Sequence, residues 1–259
     1  MFFSFDDPAF LGSLSIYDPD ALAYIGAVEI ADGQELEPSV RDAINDFVIG
    51  CKTDATWDAI KACCILAGAR TLSGALTPLV GPAPTNFNFA PPDYNRKTGL
   101  RGDGATTYLS SNRNNNADPQ DSKHISFYKQ AGASSSEGFI GIPAASLGGS
   151  WIVFSNSQTF ARVNAGTSVN PVFSYSTNSF YGASRNSSAT MQIRGEGSTS
   201  QVSVSSALPA NANIQIFGGP GVDRSQQRIA FYSIGESLDL ALLDARVTTL
   251  INAIGAAIP

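Results

Sequence analysis

The chain has 259 residues, 43% of them hydrophobic and 15% charged, with a formal net charge of −6. That is enough length and apolar content for one large β domain, or two unequal domains with a substantial core. The acidic balance, with no basic run longer than Arg96-Lys97, excludes nucleic-acid binding as the main task, and no unbroken apolar run approaches the roughly 18 residues of a membrane span.

Charge is scarce in one region. Between Lys129 and Asp223 the charged residues are Glu137, Arg162, Arg185, Arg194 and Glu196. Solubility there must come from Ser, Asn, Thr and Gly. Such a surface suits a secreted or virion protein that meets other surfaces, and it equally suits a plain low-charge β-sandwich. The N-terminus, Met1-Phe2-Phe3-Ser4-Phe5-Asp6-Asp7, lacks the basic and long apolar regions of a signal peptide. An extracellular destination would then be reached by cell lysis or another leaderless route. Cys51, Cys63 and Cys64 are odd in number and make no disulfide framework, so free buried thiols are expected.

Residues 1–17 form an apolar arm, expected to pack on the body or on a neighbouring subunit, or to be an ordinary first strand that covers the core. Asp18-Pro19 opens a first helix with a capping carboxylate and a proline at the first helical position, and Asp32-Gly33 closes it. Glu37-Pro38 opens a second, with Val40, Ile44, Phe47, Val48 and Cys51 on one stripe. Thr53 or Asp54 caps a third, whose stripe is Trp57, Ile60, Cys63, Cys64 and Ala67. Leu72 and Leu76 give a short further turn before Pro78. Residues 18–80 thus read as a helical attachment or oligomerisation unit. It is too small for a good core of its own, so it is expected to pack against the β domain or against copies of itself. Val40, Ile44, Phe47 and Val48 are its candidate docking residues, with a homo-oligomer, a trimer above all, as the expected assembly.

Residues 81–92 carry four prolines and read as a stiff connector, with Phe87 and Phe89 alternating with Asn as an edge strand would. From residue 93 to 236 short strand-like segments recur about every ten residues between Gly, Asn and Ser turns, the pattern of an antiparallel sandwich. The candidate strands are 106–110, 124–130, 138–142, 150–155, 159–164, 171–176, 179–182, 190–194, 201–205, 213–217 and 228–233. Ser237 is the expected cap of a final helix over 237–259. Its seam, Leu240, Leu243, Val247, Leu250 and Ile254, fits packing on the body or a short coiled-coil contact. The fold class expected is α+β, mainly β: an antiparallel jelly-roll sandwich preceded by a small helical unit and closed by a C-terminal helix.

The Gly102-Asp103-Gly104 turn, the Thr106–Leu109 strand, the polar loop Asn112–Ser122 and the strand His124–Lys129 together resemble the opening of laminin-G-like, concanavalin-type jelly rolls. Phe231–Leu238 and the helix after it resemble the closing strand and helix of such domains in tailed-bacteriophage virion proteins. The likeness reaches weakly to about Gly235. It implies calcium as a cofactor to consider, with Asp103, Asp118 and Asp121 as ligands, although none of them sits in a spaced calcium loop.

The remaining chemistry is sparse. A glycosidase needs two carboxylates about 5–9 Å apart, and Glu137 and Glu196 each stand alone in sequence. His124 has no nucleophile elbow nearby and reads as a hydrogen-bonded structural histidine. Arg101-Gly102-Asp103 matches an adhesion tripeptide, but the two glycines already explain it as a turn. Tyr175, Asn178, Phe180, Tyr181, Arg185 and Asn186 cluster in sequence as aromatics among amides, which suits glycan binding if the rings are exposed. The chain is expected to be a non-enzymatic virion structural protein of a tailed phage, at a tail fibre, baseplate or capsid-decoration position, presenting a lectin-like sandwich to host-surface glycan. A free or cell-surface carbohydrate-binding module is the alternative.

Overall fold

The structure, a computed structural model, describes residues 17–130, 136–156, 158–171, 173, 178–221 and 224–259. The apolar arm, apart from Tyr17, and the strand expected over 171–176, apart from Pro171 and Phe173, lie outside the described residues.

Two helices open it, α1 (Pro19–Asp32) and α2 (Pro38–Thr53). The Asp18 carboxylate caps α1 by accepting from the Asp20 N–H at 3.0 Å, and Gly33 ends it in the left-handed region at φ 69°. Next come a strand β1 (Ile60–Ile65) and a one-turn helix α3 (Leu72–Ala75), the short turn expected before Pro78. The following strands are β2 (Thr85–Phe87), β3 (Tyr94–Asn95), β4 (Gly99–Arg101), β5 (Tyr108–Asn114), β6 (Lys123–Gln130), β7 (Ser136–Gly141) and β8 (Gly149–Ser155). Then come β9 (Gln158–Ala165), β10 (Asn178–Arg185), β11 (Thr190–Gly195), β12 (Ser198–Ser203), β13 (Asn213–Ile216) and β14 (Arg228–Gly235). Helix α4 (Leu240–Ala257) closes the described chain.

The strands form an antiparallel jelly-roll sandwich of two sheets. One runs β12-β11-β10-β6-β14-β4-β3, with β1 alongside β14; the other runs β2-β5-β13-β7-β8-β9. Between them lies a core of Phe127, Phe139, Phe154, Tyr181, Ile229 and Tyr232 with their apolar neighbours. A second core lies on the other face of the larger sheet, where α1, α2 and α4 cover Tyr128, Phe180, Ala230 and Phe231. The centre of the larger sheet is therefore buried on both faces, and along β6 even His124 and Ser126 lie buried.

Three expectations are corrected here. The third helix is instead strand β1, paired antiparallel with β14 from Ile60↔Gly235 to Ile65↔Phe231. Its Ile60, Cys63 and Ile65 enter the helix-side core, and Ala62, Cys64 and, just after the strand, Leu66 the sandwich core. A run that is apolar on both faces carries no period to separate helix from strand, and the open edge of β14 decides for strand. Second, the helical segment is not a unit apart from the sandwich. β1 belongs to the sheet, and Glu37 of the α2 entry pairs with Arg96 at 2.7 Å, beside the β3–β4 turn. Third, the supposed docking stripe is covered from within the chain. Val40, Ile44, Phe47 and Val48 are 0–3% exposed, packed in one cluster with Phe231, Leu243, Val247 and Leu250. The stripe found its partner in this chain's own sheet and closing helix, which the sequence pattern alone does not name.

The seam Leu240, Leu243, Val247, Leu250 and Ile254 is buried against α2 and the sheet, so α4 packs on the body. By length and composition α4 is apolar enough to cross a membrane, at a mean hydropathy of 1.3 over its 18 residues. Its buried face is the core of this fold. Asp239, and not Ser237, caps it, accepting from the Ala241 N–H at 2.8 Å and the Leu242 N–H at 3.2 Å. The Ser237 hydroxyl instead meets Ser122 Oγ. All three cysteines are free and buried, and burial pushes the Cys51 thiol up to about 11 and the Cys64 thiol up to about 12. The connector is pinned by β2, which forms the exposed edge of the smaller sheet as its Phe–Asn alternation predicts.

Candidate functional site

An open groove of about 830 Å³ lies on the smaller sheet. Ser136 of β7, Ser155 of β8 and Gln215 of β13 contribute side chains, and Arg224 stands in the segment that leads from β13 to β14. Backbone of Gly104-Ala105 and of Gly218, Gly219 and Gly221 completes the wall. The glycine segment has a steric reason. A Cβ on Gly138 would lie 2.4 Å from the Gly219 nitrogen, so β7 and this segment meet backbone to backbone and leave the groove open above them.

Arg224 is fixed from two sides. Its guanidinium carbon lies 3.9 Å from the Tyr108 ring centroid, and Nη1 donates to Gln215 Oε1 at 3.2 Å. Phe87 stacks on the same ring at 4.3 Å with the planes 3° apart. Two groups this close to one ring must take opposite faces, so Tyr108 is held between Phe87 and Arg224. Phe87 and Tyr108 are direct cross-strand partners of β2 and β5. The Gly104-Ala105 wall is set by Asp103, whose carboxylate accepts from the Ala105, Thr106 and Thr107 N–H groups at 2.8, 2.8 and 2.9 Å. Desolvation works against the charge on Asp103, but these bonds and that of the Thr106 hydroxyl outweigh it and hold the carboxyl well below its usual range.

The glycan candidates read from the sequence do not come together. Tyr175 lies outside the described residues. Phe180 and Tyr181 are each 1% exposed, Phe180 in the helix-side core and Tyr181 in the sandwich core, so neither ring face can stack on a sugar. Arg185 is fully buried, donating from Nε to the Val163 carbonyl at 2.8 Å. It ends β10 about 23 Å of strand away from Asn178 at about 3.3 Å per residue. Asn178 is exposed beside a groove along α4 that Arg194 and Asp244 also line, and Asn186 is exposed beyond the other end of β10. Residues adjacent in a strand alternate faces, and that alternation disperses the set.

His124, Glu137, Glu196 and Asp118 have structural partners, whereas the buried Oδ1 of Asp121 has no hydrogen-bond partner among the described residues. His124 is fully buried. Its Nδ1 meets the Glu236 carbonyl oxygen at 2.5 Å and its Nε2 meets Ser233 Oγ at 2.9 Å. A carbonyl can only accept, so Nδ1 carries the proton and Nε2 accepts from the serine. Desolvation lowers this histidine to about 4. Glu137 accepts from the Ser225 hydroxyl at 3.0 Å and the Gln227 amide at 3.1 Å, and Glu196 accepts from the Tyr181 hydroxyl. Asp118 is paired with Arg113 and Lys123. Among the described residues no three His, Cys, Asp or Glu side chains gather as a metal site, so Asp103, Asp118 and Asp121 do not form the calcium set that the resemblance implied.

No family model matches the chain, and no curated protein matches it. Solved structures do. The binding domain of botulinum neurotoxin serotype D is similar over 74% of this chain and 51% of its own length, at 11% identity and a TM-score of 0.50. A Trypanosoma rangeli sialidase mutant is similar over 83% of this chain and 39% of its own, at 10% identity and TM-score 0.48. Mouse laminin alpha1 domains LG4-5 are similar over 46% of this chain and 37% of their own, at 13% identity and TM-score 0.37. This chain therefore spans about half the length, or less, of these proteins. At such identities the likeness is one of fold, that of the lectin-like jelly roll.

Sequence reasoning missed Arg224, Gln215 and Tyr108 as groove residues. The signals were the Gly218-Gly219-Pro220-Gly221 run and, just after it and beside Asp223, the first cation since Arg194.

Proposed function

We propose that this chain is a non-enzymatic structural protein of a tailed-phage virion, at a tail-fibre, baseplate or capsid-decoration position, and that its sandwich binds host-surface glycan through the Arg224 groove. One observation carries the binding half. The groove presents hydroxyl, amide, guanidinium and backbone groups, and among its described lining residues there is no carboxylate. Such a lining offers hydrogen bonds to sugar hydroxyls, while the paired carboxylates of glycoside hydrolysis have no counterpart in it. Glu137 and Glu196, the two acids weighed for such chemistry, are already engaged by Ser225, Gln227 and Tyr181. A similar sandwich serves a neurotoxin as a binding domain, which agrees with this reading. The virion half is supported by the resemblance of Phe231–Leu238 and the following helix to phage virion domains. Assembly through Val40, Ile44, Phe47 and Val48 is no part of the proposal, because the fold consumes that stripe.

Two measurements test it. Mass spectrometry of purified particles should find the chain in the virion, and the full chain on a glycan array should bind saccharide without releasing reducing sugar. Binding by a chain absent from every particle would favour a free or cell-surface carbohydrate-binding module. Reducing-sugar release that disappears in the Glu137→Gln, Glu196→Gln double variant would overturn the non-enzymatic reading.

A further inference from the structure

We infer that the Arg224 groove selects anionic saccharides, sugars that carry a carboxylate or a sulfate ester, and that Arg224 is the residue that makes the selection. The inference rests on the glycan reading above and names the ligand class for the same site.

Arg224 is the one charged group among the described residues that line the groove. It has no ion pair among the described residues. Of its donors, Nη1 goes to Gln215 Oε1, while Nε and Nη2 have no partner among the described residues. The stack on Tyr108 and the Gln215 bond fix the plane of the fork before any ligand arrives, so little side-chain entropy is lost when an oxyanion docks on the free edge. A planar fork of parallel N–H groups fits a carboxylate or sulfate edge with two hydrogen bonds, whereas a neutral sugar hydroxyl meets it with one. Beside it, Gln215, Ser136 and Ser155 supply neutral donors and acceptors suited to ring hydroxyls.

Asp103 and Glu137, which adjoin lining residues in sequence, do not cancel the cation, and Asp223 lies outside the described residues. Asp103 turns its carboxylate into its own loop, onto the Ala105, Thr106 and Thr107 N–H groups. Glu137 is 3% exposed and faces Ser225 and Gln227 beneath the surface. The chain as a whole is acidic, at −6. Long-range steering therefore does not draw an anion in, and recognition must be made at contact range, within about one Debye length of 8–10 Å.

The test uses the full chain on an array holding carboxylated, sulfated and neutral saccharides, followed by titration of sialyllactose, its carboxyl methyl ester and lactose. The expected result is binding confined to the anionic members, weakened by added salt. Arg224→Gln should bind about 10- to 100-fold more weakly, the range for one lost charge-assisted contact. Arg224→Lys, which keeps the charge and loses the fork, should fall between. A thermal melt of each variant checks that the sandwich is intact. Carboxylated or sulfated ligands alone each support the inference and tell which anion is preferred. Equal binding of neutral and anionic sugars, unchanged in folded Arg224→Gln, would overturn it and leave the glycan reading standing. Absence of any saccharide binding by wild type would remove both.

Discussion

Phe47 of α2 meets Phe231 of β14 edge to face, with ring centroids 5.6 Å apart and planes at 70°. That contact joins the first helices to the strand that holds the larger sheet together. Phe47 is 2% exposed and Phe231 fully buried. Replacing Phe47 with Asp should therefore unfold the chain. Truncation of a buried Phe costs about 3–5 kcal/mol, and a buried unpaired carboxylate costs more. Single domains are stable by only about 5–15 kcal/mol. Circular dichroism of Phe47→Asp should show loss of the cooperative melt. A folded variant that only changes its mass in light scattering would restore the docking reading.

A fragment of residues 81–259 should fail to fold. It keeps every strand of the smaller sheet, yet loses β1 from the edge of β14 and the α1–α2 cover of Tyr128, Phe180 and Phe231. The uncovered face is apolar, and the bared β14 edge is a template for aggregation. Far-UV circular dichroism and sedimentation would decide: a soluble, monomeric fragment with a single cooperative melt refutes this.

Much of the sandwich was legible in the sequence. Alternation in Thr190–Gly195 and the turn residues at Gly102-Asp103-Gly104 carry their own local signal, and both features are in the structure. The first two helices and the last were legible too, because apolar stripes are local, although the cap of the last is Asp239 and not Ser237. What failed was non-local. Ile60–Ile65 is apolar on both faces, and only the distant β14 makes it a strand. Val40, Ile44, Phe47 and Val48 announce a buried face without naming its cover. The site was least legible, since Tyr108, Gln215 and Arg224 come from separate segments. Phe180 and Tyr181 read as one site only if neighbours in sequence share a face, and in a strand they face opposite sides.

Stability should fall with acid through His124. Its folded value of about 4 lies below the ordinary 6.5, because burial disfavours the charged ring. A depressed value means that the unfolded chain binds more protons across this window. The stabilising contribution is thus complete above about pH 6.5 and is lost as pH falls to about 4, on the order of 3 kcal/mol in all. Urea midpoints measured across this window should drop for wild type and drop less for His124→Gln. Parallel curves for the two proteins would assign the acid sensitivity to carboxylates instead.

Asp118 should be worth more to the fold than any surface ion pair. Its side chain is 1% exposed, and it lies 3.0 Å from the ammonium of Lys123, which is fully buried, with Arg113 on its other oxygen. Desolvation opposes the charge on Asp118, yet Arg113 and Lys123 keep its carboxyl below the ordinary value. Desolvation likewise lowers Lys123, with Asp118 acting against it. Lys123 also donates to the Asn115 carbonyl at 3.1 Å, so this cluster anchors the turn between β5 and β6. Asp118→Asn keeps the shape and removes the counter-charge. Breaking one partner of a buried pair costs about 3–5 kcal/mol, since the other charge stays behind unpaired. Adding Lys123→Met should then recover most of the loss, because an apolar side chain of similar length needs no counter-ion. Urea denaturation of the wild type, both single variants and the double variant closes the cycle. A loss below about 1 kcal/mol in Asp118→Asn, the range of an exposed pair, would show that the cluster is solvated and holds no such charge.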